Sequence, residues 1–283
     1  MPKNLSLISL LVVCGLWSMP SAVHAQALIP YTLQLDTERL EQQGLRLAQE
    51  AAGLGQFQQF ELALPRARLA SQLAPNNERV WFLLGGLYLQ ARDFDAATQA
   101  LQTAHSLNPQ NPDILFALGS ANFQQEKYQV AADNYKKGLK LKPDSAEGWF
   151  DLGNAYYMLG RLPEAIAHYN KSFSLNAKFW PAINNIGLIK YEQGKVDEAI
   201  KQWRASVKLD QQAAEPLLAL AVALYHQGDR RQALSLGENA LRIDPRYGNL
   251  DFLKENLWGE KLLSHAKQFL DLPRMQAALQ KSR

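Results

Sequence analysis

The chain has 283 residues, 47% apolar and 20% charged, with 30 basic side chains against 27 acidic ones and a single cysteine. A net charge of +3 is far from the basic footprint that nucleic-acid binding requires. One cysteine excludes a disulfide framework and any cysteine-based metal site. At the N-terminus, Lys3 precedes an apolar run from Leu5 to Trp17, followed by helix breakers and Val23-His24-Ala25. This is the pattern of a secretory signal peptide, 1–25, cut between Ala25 and Gln26. The run is short for a membrane span, which needs roughly 20 residues; an uncleaved anchor is the alternative. Cys14 lies inside the run behind Val13, too bulky for a lipoprotein site, and cleavage would remove it. Export would place the mature chain in a periplasm, or in the thylakoid lumen or on the membrane surface of a photosynthetic cell. Residues 26–36 read as a linker, after which Asp36 or Thr37 caps a helix that runs on past Gly44 without a strong breaker.

From 44 to 247 the chain repeats itself every 34 residues without an insertion. Trp149, Leu152, Gly153, Ala165 and Tyr169 recur one step earlier as Leu115, Leu118, Gly119, Ala131 and Tyr135. Two steps earlier they are Trp81, Leu84, Gly85, Ala97 and Leu101; one step later they are Ile183, Ile186, Gly187, Ala199 and Trp203. Leu217, Leu220, Ala221 and Ala233 continue the series, and Leu47, Ala51, Ala63 and Ala67 begin it more weakly. The units are 44–77, 78–111, 112–145, 146–179, 180–213 and 214–247, four of them closed by Pro75, Pro109, Pro143 and Pro245. Each carries two helical stripes, in the fourth over Ala146–Leu159 (helix A) and Leu162–Leu175 (helix B), with Gly160 at the turn. Gly153 and Ala165 let the two helices approach closely, and bulky neighbours fill the rest.

The pattern W-x2-L-G-x2-Y, then Ala, an aromatic, a small residue and Pro, resembles the tetratricopeptide repeat. The first unit departs most, with Glu50 where the family has leucine. The resemblance implies an all-α solenoid: six helix-turn-helix units forming a superhelix whose A helices line a concave groove. It also implies a scaffold for protein partners. The fifth residue of each unit from the second gives Phe82, Phe116, Phe150, Asn184 and Leu218; the twelfth gives Leu89, Phe123, Tyr157, Tyr191 and Tyr225. Between them the ninth gives Gly86, Ser120, Asn154, Leu188 and Val222, and all three rows share one helical face. A groove floored with aromatics and with Asn154 and Asn184 suits a partner peptide or helix. The C-terminal carboxylate of a chaperone does not fit. The lysine place of that subtype holds phenylalanine in units two to four, and Glu215 and Ala219 stand where cations are needed.

Residues 248–283 leave the register but keep helical stripes, Leu250, Leu253 and Leu257, then Leu262, Ala266 and Phe269. They read as a helical cap over the last unit, or as a docking element carrying Trp258. The stretch "FLKENLWGEKLL" is similar to tails on tetratricopeptide proteins of cyanobacteria, some tied to photosystem assembly. No catalytic motif, cofactor site or metal-binding spacing is present. His105, His168, His226 and His265 fall on faces that the pattern marks as exposed, and Gly53–Gly55 reads as a turn. Lys136, Lys137, Lys140 and Lys142 share one B helix, a solvated face or an attraction to an anionic membrane or partner. The flanking segments are too short to fold round a catalytic site unaided. The expectation is a non-enzymatic scaffold assisting assembly of a membrane or envelope complex; the alternative is a self-associating structural protein of the envelope.

Overall fold

A computed structural model of the protein describes residues 36–281. Among the described residues the regular structure is helical throughout, and the chain is an all-α solenoid. Six helix pairs come first: Thr37–Gln56 (α1) with Phe60–Leu73 (α2), Glu78–Gln90 (α3) with Phe94–Leu107 (α4), and Pro112–Gln124 (α5) with Tyr128–Leu141 (α6). Ala146–Met158 (α7) with Leu162–Leu175 (α8), Trp180–Glu192 (α9) with Val196–Leu209 (α10), and Ala214–His226 (α11) with Arg230–Ile243 (α12) complete them. A 3-10 turn at Pro245–Gly248 leads to Leu250–Glu255 (α13), Glu260–Leu270 (α14) and Pro273–Lys281 (α15). The signal-peptide reading, with its cut at Ala25 and Gln26, lies outside the described residues. Among those described, no helix is long and apolar enough to cross a membrane.

Each A helix packs along its own B helix, and each B helix packs on the next A helix. The A helices α1, α3, α5 and α7 also touch one another in series, more closely than the B helices do, so the A helices lie on the inner side of the curve. Asn77, Asn111 and Ser145 start α3, α5 and α7, their side chains accepting hydrogen bonds from Val80 N, Asp113 N and Gly148 N. The indole N–H groups of Trp81 and Trp149 donate to the carbonyls of Pro75 and Pro143 at 2.8 and 2.9 Å, tying helix A to the turn before it. A Cβ on Gly153 would lie 2.6 Å from the Tyr169 ring, so only glycine lets that ring rest on α7.

The turn inside each unit places one residue in the left-handed region: Gln58, Arg92 and Glu126 in the first three, Gly160, Gly194 and Gly228 in the last three. Gly53–Gly55 is not that turn. It belongs to the last turn of α1, where a Cβ on Gly55 would meet Leu87 at 2.7 Å. Glu50 takes a leucine place because it points outward and pairs with Arg66 at 3.4 Å.

Candidate docking groove

The inner face divides in two. Over α9 and α11 it is filled by the chain itself, because α14 turns back and lies against both helices. Leu262, Ala266 and Phe269 on α14 are fully buried and join Leu188, Leu218 and Val222 in one apolar cluster. The Glu192 carboxylate accepts from the backbone N–H of Lys261 and Leu262 at 3.1 and 2.9 Å, capping α14 from the end of α9. A Cβ on Gly259 would overlap that carboxylate, so glycine admits the approach. The Lys261 ammonium lies 5.7 Å from the Tyr191 ring centre. Burial, then the charges of His226 and Lys261, push His265 down. Its Nδ1 shares a hydrogen bond of 2.6 Å with the Tyr191 hydroxyl while its ring stacks on His226 at 3.7 Å. His265 is therefore packed rather than exposed, and so is His168, which stacks on Trp149.

This placement corrects part of the expected groove. Tyr191 and Asn184 are buried, and Tyr225 lies edge-on to Phe269 at 5.4 Å, so none of the three floors an open site. Asn184 instead extends a chain of hydrogen bonds along the solenoid. Its amide donates to Asn185 at 3.1 Å, and Asn185 donates to Asn154 Oδ1 at 3.0 Å. Tyr169 donates to the same Asn154 oxygen at 2.8 Å, which leaves only the Asn154 amide N–H2 to offer a ligand. At the far end Glu215 is buried and accepts from the Trp258 indole at 3.1 Å. Burial pushes the Glu215 carboxyl up to about 7, against the hydrogen bonds from Trp258 and Asn184 that favour its charged form. Trp258 thus anchors the segment that delivers α14. The tail caps as well, since α15 packs on α12, where Arg274 holds Glu238 through two bonds of 2.6 and 2.7 Å.

Among the described residues, no helix lies over the same rows on α3, α5 and α7. The fifth-position rings lean into the seams between units: Phe116 rests on Gly138 and Gly148, and Phe150 meets Phe179 edge-on at 5.3 Å. Phe82 is half-buried in the same row. Leu89, Phe123 and Tyr157 in the twelfth-position row are half-buried too, and burial with the charge of Glu192 pushes the Tyr157 hydroxyl up to about 12. Between α5 and α7 is a depression of about 150 Å³ lined by Ser120, Phe123, Gln124, Tyr135, Asp151 and Asn154. Asp151, at the sixth place of its unit, was not among the expected groove residues. Burial and the neighbouring Glu147 charge push its carboxyl up to about 7. An acidic residue in a row that holds leucine, alanine, asparagine and alanine in the neighbouring units (Leu83, Ala117, Asn185, Ala219) is the signal that could have found it. Among the described residues no group of three or more His, Cys, Asp or Glu is placed to hold a metal ion.

The family described as the Cilia and flagella-associated protein 70 C-terminal domain matches residues 31–282. The crystal structure of MamA is 25% identical with a TM-score of 0.53, spanning 58% of this chain and 96% of that one. PilF of Pseudomonas aeruginosa is 18% identical with a TM-score of 0.61, over 78% of this chain and 98% of that one. A chain of the APC/C Cut9–Hcn1 hetero-tetramer structure is 17% identical with a TM-score of 0.62, over 82% of this chain and 46% of that one. The last two likenesses concern the fold alone. No curated protein matches the chain.

Proposed function

The chain belongs to the Cilia and flagella-associated protein 70 C-terminal domain family, a tetratricopeptide-repeat family, and from that premise we propose that it is a non-catalytic scaffold that binds an amphipathic helix of a protein partner. The binding surface is the inner face of α3, α5 and α7. The observation that carries this reading is α14. Its apolar stripe, Leu262, Ala266 and Phe269, lies on α9 and α11 through the same rows of positions that continue through the earlier units, where none of the described helices covers them. The array accepts a helix there, and Phe82, Leu89, Phe123 and Tyr157 extend the surface with half-buried rings and a leucine.

The N-terminal apolar run supports an exported location, periplasm or thylakoid lumen, and with it a role in assembling a membrane or envelope complex. The test is a crosslinked pull-down from the native organism's membranes, with the protein and with Phe123→Ala/Tyr157→Ala, both shown by circular dichroism to be equally helical. Loss of a membrane-complex subunit with the variant supports the reading. Retention of the same proteins by both refutes it, and capture of the chain alone favours a self-associating structural protein.

A further inference from the structure

We propose that the depression between α5 and α7 receives a lysine or arginine side chain of the partner helix, with Asp151 as its counter-charge. This rests on the helix-binding reading above and adds the chemistry of its specificity. Four observations carry it. Among the described residues the depression is open on one side, and its lining supplies one formal charge, the Asp151 carboxylate, beside the side-chain oxygen of Gln124 and the ring of Phe123. Among the described residues no cation lies at ion-pair distance from Asp151, whereas Asp113 on α5 is already paired with Lys142. The exposed Glu147 one turn earlier on α7 adds a second negative charge to the same face. Finally, the chain shows how such a face treats a docked helix: Lys261 of α14 lies over Tyr191, and Tyr157 is the residue one unit before Tyr191.

The physical reason is a half-buried carboxylate without a cationic partner. Drawing Asp151 out of water beside Glu147 disfavours its charge, and this raises its pKa. A partner cation supplies the missing attraction in a site where water screens it poorly. A neutral or acidic side chain at the same place leaves Asp151 uncompensated, so the depression discriminates as well as attracts.

The test is a selection of displayed random amphipathic helices against the full chain. The selected peptides are then assayed on the full chain, on Asp151→Asn and on Phe123→Ala/Tyr157→Ala. Asparagine is near-isosteric and removes only the charge. The expected result is a set of helices lost with the double variant, carrying lysine or arginine at one fixed position, and bound about tenfold or more weakly by Asp151→Asn. Their affinity for the parent chain falls with rising salt, and that for Asp151→Asn falls less. Helices lost with the double variant but indifferent to Asp151→Asn overturn this inference and leave the helix-binding groove standing. A selection whose binders all tolerate the double variant overturns the groove, and the inference with it.

Discussion

The inner face of α9 and α11 and the inner face of α3, α5 and α7 are built on one scaffold but have opposite fates. The first holds Leu188, Leu218 and Val222 in rows where the second holds Phe116, Phe150, Ser120 and Asn154. Aliphatic side chains there need cover, and α14 provides it within the chain. Half-buried rings with a hydroxyl, an amide and a carboxylate tolerate water and await a specific cover. One fold therefore makes a stabilising interface at one end and a recognition surface in the middle, and the difference lies in a handful of inner-face positions.

The sharpest way to break this comparison is to truncate one ring on each side. Phe269→Ala removes a fully buried ring from the covered end and is expected to cost about 3–5 kcal/mol. Phe123→Ala and Tyr157→Ala remove half-buried rings and are expected to cost less than about 1 kcal/mol each. Urea unfolding of the three variants measures both; equal costs would mean that the two faces do not differ.

The two raised carboxyls probe the same contrast through pH. Glu215 has a folded pKa of about 7 against an ordinary 4.5, so the folded state holds its proton more tightly than the unfolded one. Its contribution to stability is full below pH 4.5 and is lost as pH rises to about 7, on the order of 2–3 kcal/mol. Asp151, with a folded pKa of about 7 against 3.8, acts in the same direction from a lower starting pH. Unfolding midpoints should fall between pH 4 and 7, and Glu215→Gln and Asp151→Asn should each flatten the profile. A profile that rises over that range would contradict both assignments.

Glu192 joins the two regions, since it caps α14 and its charge reaches Tyr157. Glu192→Ala should cost about 1–2 kcal/mol and speed amide exchange in α14 without changing exchange in α5. Unchanged exchange in α14 would remove the cap from the account. The smallest effect is at the turns. Glu126 holds φ +60° where the fourth unit has Gly160. Glu126→Gly should therefore stabilise by about 0.5–1 kcal/mol, and Gly160→Ala should destabilise by a similar amount, in thermal melts.

Much of this was legible in the residues. The 34-residue period gave α7 and α8 to within one residue, because helix A and helix B each arise from apolar spacing that repeats from unit to unit. Phe123 and Tyr157 fell in one row by the same counting, which the family resemblance put on the inner side, and Leu262, Ala266 and Phe269 fell on one stripe. Three things escaped it. Gln58, Arg92 and Glu126 occupy left-handed turns without being glycine. Asn184 and Tyr191, polar at groove positions, look like ligand-binding residues in a row but are consumed by Asn185 and His265. Asp151 is one carboxylate among 27 acidic residues until its neighbours are known.

What the sequence determined alone is everything carried by contacts within a unit: the helices, their pairing and the number of tiles. These depend on residues three, four or about fifteen apart, which a repeated pattern displays. Only the tertiary structure decided where the tail goes, because Glu192 meets Lys261 and Tyr191 meets His265 across some 70 intervening residues. Such pairs obey no period. They form because α14 can bury its stripe on one exposed aliphatic face, and that choice divides the inner surface into a closed end and an open groove.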